Sequence, residues 1–288
     1  MSTRPEAPFR LSDTERLDRY RLLREATARR PPLTITEDGF RLLLESATSP
    51  QLREAVDEQV RPDLDRLIQV GLIGGDGRLS PGAGDLVEAV RRPDIQMQIE
   101  VAAGQSVRIW KAWLGFRHAV IMAQPSPAIT AADTPRDVAG RQPPRIAGYD
   151  LQAVMPGWVP VAAARWLRLG PRESPGGHGH VPWPDLARRL ADPDLPPPAG
   201  DPVLARIWAQ PLQVGAITVE PGGGRMLVLD AGRAGLWRLA PETDAEAEEA
   251  TLTPLPSHAA WQLLLTLITR ADRAPRQAPF QASRHAAI

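Results

Sequence analysis

The chain has 288 residues, 43% hydrophobic and 24% charged, and its 34 basic residues balance 34 acidic ones. Duplex nucleic acid and anionic membranes call for a basic excess, so the charge balance argues against both as partners. Cysteine is absent, which excludes a disulfide scaffold, a zinc–thiolate site and a cysteine nucleophile.

Residues 1–32 are polar and rich in Pro and Arg, and they read as an arm with one short helix over residues 14–27. The opening "MSTRPEAPFRLSDTERLDRY" has no apolar core of signal-peptide length, and runs such as "VPVAAA" and "LLLTLI" are too short to span a bilayer. A cytoplasmic, non-membrane protein is the expectation. "LTITEDGFRLLLESA" begins with strand-like alternation and turns helical, with Thr36 as the cap. Residues 52–73 have helical spacing, which Pro62 kinks or divides. Ser80 before Pro81 opens a further helix.

From Pro93 the period changes. "IQMQIEV" alternates strictly and places Ile95, Met97, Ile99 and Val101 on one face of a strand. "SVRIWKAWL" and "RHAVIMAQ" follow as second and third strands of an antiparallel meander. Trp110 and Trp113 fall on opposite faces, one as core and the other as a partly exposed side chain. Residues 125–147 have no period and read as a connector. Residues 149–170 are apolar and ambiguous. Residues 171–184 read as a loop, followed by short helices at "DLARRLA" and residues 201–210. Strands follow at 214–220, 225–230 and 235–239, then an acidic connector over 241–250. A strand and a helix capped by Ser257 close the fold, and the helix carries an apolar stripe at Trp261, Leu264, Leu265 and Ile268. The tail is polar from Asp272.

Two stretches echo one another. Residues 84–101 and 200–219 share the order Gly-Asp, helix, Pro, strand, turn, strand. The pattern predicts two related halves that share one sheet.

Three stretches invite a chemical reading. Gly222-Gly223-Gly224 resembles a phosphate loop, but "RMLVLD" follows where a helix N-terminus would be needed. A β-hairpin is the better reading. In "GGHGH", His178 and His180 lie two apart and would share one side of a strand as metal ligands. Further ligands are required, and none is evident beyond the nearby Glu173 and Asp185. Ser257-His258 lacks the elbow of a serine nucleophile. "WLG" at Trp113–Gly115 reads as a turn.

Several phrases resemble the EspG family, the cytosolic chaperones of actinobacterial type VII (ESX) secretion. Asp230, Gly232 and Arg233 in "VLDAGRAGLWRL" are similar to that family's W-F-D-T-x-x-G-R-Y stretch. "ATLTPLPSHAAWQLLLTLI" is similar to its strand–Pro–helix close. "DLDRLIQVGLIGGDGRLSP", "LVEAVRRPDIQMQIEV" and the earlier "LTITEDGFRLLLESA" are similar to its N-terminal part. Leu229, Ala231 and Ala234 depart from the motif, and residues 141–183 do not align.

The resemblance implies an α+β fold: a central antiparallel β-sheet with flanking helices, two pseudo-twofold-related α/β halves and a C-terminal helix. The expected division is a polar, partly disordered arm over 1–32, an α+β domain over 33–271 with subdomains at about 33–140 and 148–271, and a flexible tail over 272–288. It implies a protein-binding chaperone without catalysis or cofactor. The partner would be a helical secretion substrate, a PE–PPE heterodimer or related W-x-G hairpin. The implied contact regions are residues 102–106 or 114–116 and the helix over 257–270, with Trp113, Leu114, Phe116, Trp261 and Leu264 as the contact residues. The alternatives are a metal-dependent enzyme using His178 and His180, and a protein-binding scaffold unrelated to secretion.

Overall fold

The computed structural model describes residues 33–47, 58, 60–103, 106–127, 148–170, 176–198, 200–241 and 249–274. The 1–32 arm with its expected helix over 14–27, and most of the 125–147 connector, of the acidic connector and of the tail, lie outside them.

Among the described residues ten strands form one sheet, and every neighbouring pair is antiparallel. In chain order they are β1 (Leu33–Ile35), β2 (Ile95–Ala103), β3 (Ser106–Leu114), β4 (Ala119–Ala123), β5 (Tyr149–Val154), β6 (Gly179–Pro182), β7 (Gln213–Glu220), β8 (Gly224–Asp230), β9 (Leu236–Pro241) and β10 (Glu249–Pro254). The order across the sheet is β1-β5-β4-β3-β2-β7-β8-β9-β10-β6. The described helices are α1 (Glu37–Glu45), α2 (Arg61–Gln69), α3 (Pro81–Arg91), α4 (Val159–Trp166), α5 (Trp183–Ala191), α6 (Pro202–Trp208) and α7 (Ser257–Arg273).

Local chemistry sets the helix starts. The Thr36 hydroxyl accepts from Gly39 N at 3.0 Å and donates to the buried carboxylate of Asp63, so one side chain caps α1 and ties it to α2. Pro62 lies in the first turn of α2, so it starts that helix. Ser80 caps α3 by accepting from Ala83 N, and Asp201 caps α6 by accepting from Val203 N and Leu204 N.

The chain runs strand, helices, four-strand meander, helix, and then does so again. β1, α1–α3, β2–β5 and α4 make the first pass; β6, α5–α6, β7–β10 and α7 make the second. β2 begins at Ile95 and β7 at Gln213; β3 begins at Ser106 and β8 at Gly224, the same shift both times. Ile99 and Ile217, which that shift superposes, are partners in the β2–β7 ladder. A pseudo-twofold axis therefore passes through the sheet between these two residues. It relates the halves and places α4 and α7 on the same face.

Three apolar clusters follow from this. Under α4 and α7, the alternating side chains of β2 (Ile95, Met97, Ile99, Val101) meet Trp110, Ile217, Val219, Leu264 and Leu267. On the opposite face, α1–α3 cover Trp113, Val120 and Leu151, while α5 and α6 cover Leu229, Trp237 and Leu252. Both Trp110 (1% exposed) and Trp113 (8% exposed) are therefore core residues, which corrects the expectation that one would be partly exposed.

Three further local expectations change. The 149–170 stretch resolves into β5, a 3-10 turn at Pro156–Trp158 and α4. The expected loop over 171–184 contains β6, an edge strand held by its ladder to β10. Pro256, not Ser257, stands at the cap of α7; the Ser257 hydroxyl instead donates to the Gly170 carbonyl. The β7–β8 connection is the hairpin turn expected from Gly222–Gly224, with positive φ at Gly222 (68°) and Gly224 (92°).

Candidate functional site: a cleft between two helices

α4 descends from β5 toward the β2–β3 turn, and α7 starts beside its end. Val161, Ala164, Arg165 and Arg168 follow one another at helical spacing along one side of α4 and its exit. With Leu169, Gly170 and Trp261 they line an open cleft of about 650 Å³. Ser257 fixes the two helices to one another by its bond to Gly170. Trp261 is partly buried against the core, and Leu265, one turn further along α7, is 37% exposed. The walls are largely apolar, the rim carries two arginines, and among the described residues no carboxylate lines the cleft.

Beneath it lies a smaller cavity of about 30 Å³, lined by residues that include Val101, Ser126, Trp166, Gly215, Val228 and Ala260. Trp166 closes one side. Its Nε1 donates to the Gln124 carbonyl at 2.7 Å, and its own carbonyl accepts from the Ser126 hydroxyl at 2.8 Å.

The five expected contact residues do not form one surface. Leu264 has no exposure, because α7 turns the 260–264–267–271 stripe to the sheet and presents Leu265 outward. Trp113 stacks on Phe40 with ring centroids 5.4 Å apart, and Leu114 is 5% exposed. All three are interior, and a partner cannot reach them in this fold. Phe116 is 88% exposed on the β3–β4 turn, which the Gly115 N to His118 O bond closes. Phe116 lies at the Ile95 end of the strands, whereas the cleft with Trp261 lies at the Val101 end. A single helix tip cannot touch both. Of the 102–106 loop, residues 104 and 105 lie outside the described residues.

His178 and His180 are both exposed, and His180 sits opposite Thr251 at the sheet edge. Among the described residues no three His, Asp or Glu side chains come together as a metal site. Tyr149 has its phenol pushed up from the ordinary value, first by burial and then by the charge of Glu37. It stands in β5 beside the opposite edge strand, away from the cleft. No described helix is long and apolar enough to cross a membrane.

No family model matches the chain. No curated protein matches it in sequence. Among solved structures it is similar to the Mycobacterium tuberculosis type VII secretion system chaperone EspG5, determined in complex with the PE25-PPE41 dimer. The two are 12% identical with a TM-score of 0.48, over 85% of this chain and 97% of that one. A likeness at that level is one of chain course alone.

Proposed function

We propose that the chain is a cytoplasmic, non-catalytic adaptor of type VII secretion. It binds a helical PE–PPE-type heterodimer or a related W-x-G hairpin and keeps it soluble until hand-over. The observation that carries this reading is the α4–α7 cleft: apolar walls, a half-buried tryptophan and an arginine rim, with no carboxylate among the described residues that line it. Such a groove suits the apolar face of a helix. The residue-level resemblance around Asp230–Arg233 and the closing helix supplies the class of partner. Trp261 is the anchor, as a large side chain held in place by the core beneath it.

Co-expression with PE–PPE-like and W-x-G proteins encoded near the gene, followed by size exclusion and calorimetry, tests this. A stable complex is expected, and Trp261→Ala weakens it by about 2 kcal/mol while circular dichroism stays unchanged. If the chain binds no such protein, the reading fails.

A further inference from the structure

α4 ends in a turn that proteins ordinarily build with glycine. Leu169 N donates to the Ala164 carbonyl at 2.9 Å, and Arg168 N donates to the Arg165 carbonyl at 3.1 Å. That paired closure needs a left-handed residue just after the helix, and glycine fills it best because it has no Cβ. Here the residue is Arg168, with φ of 55°. Among the described residues no other non-glycine residue has a positive φ. α2 shows the usual solution within the same chain. Leu72 N donates to the Leu67 carbonyl at 2.9 Å and Gly71 N to the Ile68 carbonyl at 3.0 Å, with Gly71 at φ 75°. The two turns share one bonding pattern, so the backbone of α4 would be served as well by glycine. An arginine strains it, and what the position keeps in return is the side chain.

Arg168 is exposed, and it lines both the α4–α7 cleft and the small cavity beneath it. Arg165, one turn earlier, is exposed on the same wall of the cleft. On the cavity side Asp230 shares the lining. On the cleft side, among the described residues, the rest of the lining holds no charged group: Val161, Ala164, Leu169, Gly170 and Trp261. Two guanidinium groups therefore border an apolar wall. The turn that carries Arg168 is also fixed to the opposite helix. Gly170 N donates to the Arg168 carbonyl at 2.7 Å, and the Gly170 carbonyl accepts from the Ser257 hydroxyl at the start of α7.

We propose that Arg168 is the specificity-determining residue of the cleft: with Arg165 it selects a partner helix that carries an acidic side chain beside its apolar face. The inference rests on the adaptor reading and sharpens it. Trp261 and the apolar wall take the apolar face of an amphipathic helix, and the arginines rank such helices by charge. A helix with a neutral residue beside its stripe gains nothing from the rim, and one with a basic residue is repelled by it.

The test compares the full chain with Arg168→Gly and Arg168→Lys. Glycine relieves the turn and removes the charge, whereas lysine keeps both. Two capped helical peptides serve as probes, with one leucine stripe in common and either Glu or Gln beside it, titrated by calorimetry at low salt. The native chain is expected to prefer the Glu peptide by about fivefold, and added salt erodes that preference. Arg168→Lys keeps most of it, and Arg168→Gly binds the two peptides alike within about twofold. The melting temperature of free Arg168→Gly is expected to equal or exceed the native one. A lower one would overturn the proposal, since the side chain would then serve the fold and not a partner. Native chain that binds both peptides equally, or neither, would sink it as well. A PE–PPE or W-x-G complex whose affinity Arg168→Gly leaves unchanged would refute it while leaving the adaptor reading intact. A Glu preference carried by Arg168 without any PE–PPE or W-x-G binding would support it and count against the adaptor reading instead.

Discussion

Two buried arginines show how little residue type alone says. In "SVRIWKAWL" the alternation puts Arg108 on the side of Trp110, where it is 8% exposed. Arg189 sits in "DLARRLA" beside Arg188, but Arg188 pairs with Asp185 near solvent while Arg189 turns inward to the ends of α5 and α6. Each of those helix ends carries partial negative charge from unpaired carbonyls, so the cation there is matched. Arg189→Met strands the carbonyls of Trp208 and Gln210 and is expected to lower stability by about 2–3 kcal/mol, measured by urea unfolding.

The elements divide by how much of their stabilisation is local. β2, β3 and the β7–β8 hairpin carry their own alternation and turn residues, so they are legible in the sequence. α1 and α3 carry their own caps at Thr36 and Ser80. β6 is not legible: "GHVP" is short, glycine-led and closed by proline, and only its ladder with β10 makes it a strand. The phase of α7 was blurred for a related reason. "LLL" at Leu263–Leu265 offers three apolar neighbours, and contact with β7 selects Leu264 as the buried one. Trp261 was legible on the apolar stripe of the closing helix; the cleft around it was not, because the α4 side comes from the ambiguous apolar stretch. The hairpin that resembled a phosphate loop has a packing role. A Cβ on Gly223 would sit 2.6 Å from the Leu267 carbonyl of α7 and 2.8 Å from the Val219 Cβ. Gly223→Ala is expected to cost about 1–3 kcal/mol and to loosen the end of α7, read as faster amide exchange over residues 267–273.

At the scale of the molecule, the two halves are joined through the middle of one sheet. The β2–β7 ladder runs from Gln96–Glu220 to Ala102–Val214, and the cluster under α4 and α7 draws residues from both halves. Neither half can lose its structure without exposing the core of the other. Guanidinium unfolding should therefore show one transition, coincident by tryptophan fluorescence and far-ultraviolet circular dichroism. The fluorescence reports on all three clusters, which hold Trp110 and Trp166, Trp113, and Trp208 and Trp237 respectively. Two separated transitions would show that the halves fold independently.

The two helices on the shared face are unequal: α4 has 8 residues and α7 has 17. Matched helices would leave a cleft at each end of the axis, and a chain of that kind could link cargo molecules into a string. Because α7 extends to the β7–β8 hairpin and packs over Gly223, that end is already filled. Among the described residues the broken symmetry leaves one such seat, so the proposed adaptor would hold one partner per chain.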